Sequence, residues 1–231
     1  MNPLANHTEA YTPGPGAPGR TFGGYVGLGE RTVVTTIAIA SVPFFGGLLH
    51  LLQIALDGKV ARHEVGLAFA GLVLLDIAAL VVAVIVAAVC FGIWLHRAVR
   101  NLARLGRFGM TYSPAGAVGS FYIPFVNFVR PHRVLTELWR ASEPAAEADG
   151  SAWRSFGSST ALLDVWWGCF LASGFVSRMK PPVDFPGASG LFGLATTCLE
   201  VVAAIACYRL MRGIASRQEA LSARLAALDR G

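Results

Sequence analysis

At 231 residues, with 54% hydrophobic and only 14% charged side chains and a mean hydropathy of +0.55, the chain is too short and too apolar to be a large soluble enzyme with a deep core. Its formal charge of +5 comes from arginines beside apolar runs, not from a separate basic module, so anionic lipid headgroups rather than nucleic acid are the expected partner. Cys90, Cys169, Cys198 and Cys207 lie inside apolar stretches, without a C-x-x-C pair or a nearby histidine, so neither a disulfide framework nor a metal site is expected.

Residues 1–32 open with a polar start and a Thr-Pro-Gly-Pro-Gly-Ala-Pro-Gly tract, which lacks the pattern of a secretory signal and is expected to be a disordered cytoplasmic tail. The first apolar run, 33–56, carries Pro43 and Gly46-Gly47, expected to kink a helix, and ends at Asp57-Gly58-Lys59. After a polar loop with Arg62, His63 and Glu64, the run 65–95 extends for 31 residues with one charged group, Asp76. About 20 apolar residues cross a hydrocarbon core, so this is a span with length to spare. It passes directly into His96, Arg97, Arg100, Arg104 and Arg107, which marks its end as cytoplasmic.

The segment 114–129 is apolar but short, interrupted by Gly119 and Pro124, and flanked by Arg104 and Arg107 before it and Arg130 and Arg133 after it. That pattern predicts a re-entrant or interfacial hairpin rather than a crossing. The runs 160–176 and 189–210 supply spans three and four, separated by a turn from Lys180-Pro181-Pro182 to Gly187. Four crossings put both termini and fifteen Lys or Arg inside, with only residues 59, 62, 178 and 180 outside. A fifth crossing would move Arg130, Arg133, Arg140 and Arg154 to the far side, against the positive-inside bias.

Helical periodicity continues into three polar stretches. In 94–107 an apolar stripe (Leu95, Ala98, Val99, Leu102, Leu105) lies beside an arginine stripe (97, 100, 104, 107), which is expected to be a solvated, lipid-facing anchor. Residues 131–142 predict an amphipathic helix on the membrane surface: Pro131 suits a first helical position, Val134, Leu135, Leu138 and Trp139 share a face, and Arg133 and Glu137 are spaced as a pair. Residues 211–231 carry Ile214, Leu221, Leu225 and Leu228 on one side of a cytoplasmic helix, where a coiled-coil dimer is weakly signalled. Trp94, Trp139, Trp166 and Trp167 fit an interfacial aromatic belt, and Ala79, Ala83 and Ala87 form a small-residue ladder that permits close packing within the chain or between copies.

Four elements in this cytoplasm-facing middle carry a resemblance: Trp94-x-x-Arg97-x-x-x-Asn101, Ser113-Pro114-x-x-Ala117-Val118-Gly119, Pro124-x-x-Asn127-x-x-x-Pro131, and Leu138-Trp139-x-Ala141-Ser142. Together they resemble the signature of a domain-of-unknown-function family of bacterial multi-span membrane proteins. The resemblance covers about residues 60–210, with its specific part confined to 94–142. It implies an integral membrane location and a variable proline-rich N-terminal tail, and no activity, ligand or catalytic residue.

Physically, Ser113-Pro114 is a helix start, and Pro124 ten residues later leaves a backbone carbonyl without its usual donor. Asn127 and Asn101 are the expected satisfiers. Two readings stay open: the asparagines and prolines stabilise a broken hairpin, or Arg97, Asn101 and Asn127 face an anionic group in a cytoplasmic cavity. Asp76, Glu200 and Asp164 are intramembrane carboxylates by position, with His50 the basic group available to Asp76. Each acid is expected to be protonated and hydrogen-bonded within the protein, or to serve a proton or cation relay.

No H-E-x-x-H, P-loop, G-x-S-x-G or Rossmann pattern is present, so no enzymatic role, cofactor or catalytic residue is expected. The sequence therefore predicts an all-α polytopic membrane protein of a bacterial plasma membrane: four spans, a re-entrant or interfacial hairpin and amphipathic cytoplasmic helices. Its expected role is a non-enzymatic module whose basic inner face (Arg97, Arg100, Arg104, Arg130, Arg133) binds anionic lipid or a partner, either a second copy or another membrane protein. The alternative is a small transporter or channel subunit with a polar path through Asp76, Glu200 and the hairpin.

Overall fold

Wherever the apolar pattern runs without proline punctuation, the chain is helical. The computed structural model describes residues 24–60, 66–144, 150–155, 160–179 and 188–228, and no strand occurs among them. The tail before residue 24, the loop at Arg62, His63 and Glu64, the 180–187 turn and residues 229–231 lie outside the described residues.

The helices are α1 (Gly29–Val60), α2 (Leu67–Arg104), α3 (Pro114–Gly119), α4 (Arg130–Ala141), α5 (Ala161–Val176) and α6 (Ala188–Leu228), with 3-10 turns at Val126–Phe128 and Ala152–Arg154. Two of them fuse stretches that the sequence pattern separates. α2 joins span two to the arginine-bearing helix over 38 residues, and α6 joins span four to the C-terminal helix over 41, because no proline falls inside either. α1 runs on through Pro43 and past Asp57-Gly58-Lys59 to Val60. α1 (over 29–55), α2 and α6 are three helices long and apolar enough to cross a membrane, while α5 is apolar but only 16 residues long.

The chain divides into two compact units. One comprises residues 29–94 and 160–212, which hold α1, the first part of α2, α5 and the first part of α6. Here α1 and α2 run antiparallel: Trp94 Nε1 donates to Thr32 Oγ1 at 3.0 Å, and Thr35 Oγ1 donates to the Cys90 carbonyl at 3.3 Å. α6 approaches α1 closely through glycines. A Cβ on Gly190 would lie 2.9 Å from the His50 carbonyl oxygen, one on Gly193 would collide with the His50 ring, and one on Gly47 would lie 3.3 Å from Thr197. The outer side of α2 leaves Leu74, Leu75, Val82 and Ile85 57–67% exposed, an apolar face suited to lipid.

Trp94 is fully buried, and Trp166 and Trp167 are nearly so, with Trp166, Trp167 and Phe170 in mutual ring contact. These tryptophans are core residues rather than the interfacial belt their positions implied. An indole that can hydrogen-bond inside, as Trp94 does to Thr32, gains more from burial than from an interface.

The second unit comprises the described residues among 1–28, 95–159 and 213–231. Its core is built from the apolar stripe of α2 (Leu95, Ala98, Val99, Leu102), the inner face of α4 (Val134, Leu135, Leu138, Ala141) and Ile214 and Leu221 of α6, all at most 4% exposed. α4 therefore buries its apolar face in protein instead of laying it on a membrane surface, and the C-terminal stripe is covered by this unit through Leu225, leaving only Leu228 exposed. Trp139 is covered on one side by the Arg217 guanidinium, 3.7 Å from the ring centroid, and a Cβ on Gly213 would lie 2.7 Å from the same ring. A strap at residues 24–28 closes the unit: Leu28 is fully buried and Tyr25 packs against Leu105, Leu221 and Leu225.

Candidate functional site

Ser113 adopts an extended cap conformation, its Oγ accepts from the Gly116 N–H at 3.1 Å, and Pro114 occupies the first turn, so α3 starts as the sequence pattern predicts. Beyond Gly119, whose Cβ position is open, the backbone bends through turns that satisfy themselves: Val126 N–H donates to the Pro124 carbonyl at 2.7 Å and Asn127 N–H to the Ile123 carbonyl at 3.0 Å. Phe125 takes φ 62°, the left-handed region that bulky side chains avoid. The result is a loop whose apolar side chains point outward. Phe125 is 85% exposed, and Tyr122, Ile123, Phe128 and Val129 are also exposed. Arg130 and Arg133 follow at the start of α4, both exposed, with Arg130 Cζ 6.0 Å from the Tyr112 ring centroid; Pro131 beside them is buried at a helix-compatible first-turn position.

The end of α2 before the loop and the end of α4 after it are tied to α6 by one buried amide. Gln218, fully buried, donates through Nε2 to the Ala98 carbonyl at 3.0 Å and to Ser142 Oγ at 3.3 Å, and accepts at Oε1 from Asn101 Nδ2 at 3.3 Å. Asn101 Nδ2 also donates to the Val26 carbonyl of the strap at 2.9 Å, while its Oδ1 is buried without a hydrogen-bond partner. Asn101 is thus a clamp between α2, the strap and α6, not a satisfier of the Pro124 break. Asn127 lies in the loop, and its Oδ1 is likewise buried without a hydrogen bond.

Two members of the arginine stripe turn onto backbone carbonyls of the protein, and one of them is buried. Arg104 donates to the Gly24 carbonyl, and Arg107, 3% exposed, donates to the Glu143 carbonyl at 3.1 Å. Burial, with Arg224 nearby, holds the Arg107 guanidinium below the usual arginine pKa, while Glu143 acts in the opposite sense. Arg217 pairs with Glu143 Oε2 at 2.8 Å and Arg224 donates to the Pro144 carbonyl at 2.7 Å, so three arginines fasten the segment after α4. Arg97 is half-buried and engaged, and Arg100 is exposed. The sequence assigned these side chains to lipid because it shows charge spacing but not the loop carbonyls that fold back onto it. Glu137 accepts from the Thr111 N–H at 2.9 Å.

Sequence reasoning missed Gln218 and the strap, and had Ser142 only as a member of the Leu138–Ser142 element, without its bond to Gln218. A signal for Gln218 was present: it falls on the stripe of Ile214, Leu221 and Leu225, a polar residue at a core position.

The intramembrane candidates all lie in the other unit. Asp164 is exposed near the start of α5 and engaged in an interaction. His50 hydrogen-bonds Gln53 Oε1 through Nδ1 at 3.0 Å, and the acid it acts on electrostatically is Glu200, not Asp76. Glu200 Oε2 lies 3.6 Å from the point where a Cβ on Gly46 would stand. Asp76 is 6% exposed, and neither carboxylate oxygen has a hydrogen-bond partner. Asp76 and Glu200 therefore do not share a unit with Asn101 and Asn127. Among the described residues no cluster of His, Cys, Asp or Glu is arranged to hold a metal ion, and all four cysteines are free.

No curated protein and no solved structure matches this chain. A family model described as a domain of unknown function (DUF4328) matches residues 57–216, from the end of α1 to beyond the start of the C-terminal part of α6. With well over half of its length matched, the chain belongs to that domain-of-unknown-function family.

Proposed function

We propose that this is a four-span, non-enzymatic module of a bacterial plasma membrane, with both termini inside, whose inner unit rests on anionic lipid through the 121–129 loop and its basic shoulder. The exposed apolar loop carries this reading: Phe125 is presented at positive φ and 85% exposure, followed by exposed Arg130 and Arg133. Strained backbone that displays a large apolar side chain to the outside is costly unless the exposed group is used. An aromatic tip with arginines behind it matches an interface whose acyl region takes the rings and whose headgroups take the charge.

The topology is supported by parity. The strap before α1, the end of α2 and the end of α6 belong to one unit and are joined by the Val26–Asn101–Gln218 bonds, which supports assigning them to one side of the membrane. α1 and α2 make one excursion from that side. Asn101 and Ser142 both bond Gln218, which favours a segment between them that leaves and returns on the same side, a hairpin and not a crossing. α6 must then start from the far side, and α5 is the helix available to carry the chain there. At about 24 Å its 16 residues fall short of a core about 30 Å thick, so flanking residues complete the crossing.

The test uses full-length protein in lipid nanodiscs, with Phe125→Cys in a background lacking native cysteines and carrying an environment-sensitive fluorophore. Quenching by brominated lipid, stronger with anionic than with zwitterionic headgroups, is expected. Arg130→Gln with Arg133→Gln should lower retention of co-purified anionic lipid, since two charges near the leaflet contribute about 2 kcal/mol, roughly a thirty-fold effect. Water-like emission that no lipid quenches would refute the reading.

A further inference from the structure

The membrane-crossing unit holds a second feature, independent of the lipid-contacting loop. The hydrogen bonds Trp94–Thr32 and Cys90–Thr35 fix the antiparallel register of α1 and α2. Eighteen residues make five full turns of an α-helix and about 27 Å of rise. His50 stands eighteen residues beyond Thr32 on α1, and Asp76 eighteen residues before Trp94 on α2. The same register therefore places Asp76 on the α1-facing side of α2, at the level of His50. Burial agrees: Asp76, Ala83 and Ala87 are 6–8% exposed on one face of α2 while residues on either side are open to lipid. Glu200 approaches α1 about one turn away, beside Gly46, and it is Glu200 rather than Asp76 that His50 acts on electrostatically.

We propose that Asp76, on the α1-facing side of α2, forms an intramembrane site for one monovalent cation, H⁺ or Na⁺. The charge balance gives the stoichiometry. Asp76 is a single carboxylate, buried and without a hydrogen-bond donor. An ionised, unpartnered carboxylate at such depth costs about 3 kcal/mol or more, and one bound monocation removes that cost. The remaining charged groups of the surrounding elements lie at their ends: Asp164 in the first turn of α5, and Arg178 beyond its last turn, where the guanidinium bonds the Gly174 carbonyl. α1 and α6 contribute His50 and Glu200 themselves.

The experiment uses the full-length protein in proteoliposomes, treated with the apolar reagent dicyclohexylcarbodiimide, which adds to protonated carboxyls. Adducts are quantified residue by residue by mass spectrometry across a pH series, with Na⁺ or choline as the salt. Labelling at Asp76 that falls by about tenfold per pH unit on its alkaline limb, equally in both salts, establishes a proton site. Labelling suppressed by Na⁺ and not by choline establishes Na⁺ as the occupant. Asp76→Glu should retain an adduct at position 76 and Asp76→Asn should abolish it, while Glu200→Gln should leave the Asp76 adduct in place. Absence of an Asp76 adduct in the native protein, or labelling that depends on neither pH nor Na⁺, would overturn the proposal.

Discussion

Single residues in the loop-bearing unit are fastened by a few buried polar bonds, and these give the sharpest expectations. Gln218 joins Asn101, Ala98 and Ser142. Gln218→Leu should lower stability by about 1–3 kcal/mol, because it strips partners from groups that stay buried. Adding Asn101→Leu should cost less than the two single losses summed, because the second change removes a group the first left unpaired; thermal unfolding in detergent measures both. Tyr25 gives a pH signature. Burial, helped by Glu219, pushes its phenol up to about 12 from the ordinary 10.0. A group raised in the folded state stabilises fully below its unfolded value and ceases to do so as pH climbs through the folded one. Docking of the strap should therefore hold below pH 10 and weaken between 10 and 12. Tyr25→Phe should remove that alkaline loss, and because the buried Tyr25 hydroxyl has no hydrogen-bond partner, its removal should not lower stability at neutral pH and should raise it slightly. Absorbance of tyrosinate against pH, compared between the two proteins, reads the difference.

At the scale of elements, packing between helices depends on where the chain omits a side chain. Gly190→Ala would place a methyl carbon 2.9 Å from the His50 carbonyl oxygen and 3.1 Å from the Ile54 nitrogen, both backbone atoms that cannot swing away. A loss of about 1–3 kcal/mol is expected, visible as a lower midpoint of thermal unfolding, whereas Gly71→Ala, with open space at its Cβ, should be tolerated. Helix positions were legible because long apolar periodicity survives any tertiary context, and so was the cap at Ser113. Helix surroundings were not. The face of α4 reads the same whether it meets lipid or protein, since both are apolar solvents for Val134, Leu135 and Leu138. The arginine spacing was likewise correct and its partners invisible, because a backbone carbonyl of Gly24 or Glu143 carries no mark in the sequence.

For the whole molecule, the decisive information is which segments share a unit. The strap, the middle of the chain and the C-terminal end of α6 fold together, and bonds from Gln218 bracket the 114–129 segment. No local pattern announces such a closure, since Asn101 and Gln218 lie 117 residues apart. The charge distribution is a separate argument: a four-span arrangement would put fifteen basic residues on one side and four on the other. The measurement to make is the labelling of single cysteines by a membrane-impermeant thiol reagent on intact and opened cells. The positions are Thr111→Cys, Ser155→Cys, Ser177→Cys and Ser216→Cys, all exposed, in a background lacking the native cysteines. Ser177→Cys should react in intact cells, and the other three only after opening. Reaction of positions 111 and 155 from opposite sides, or of 177 from the same side as 155, would contradict the four-span arrangement and the inner lipid-contacting face that depends on it.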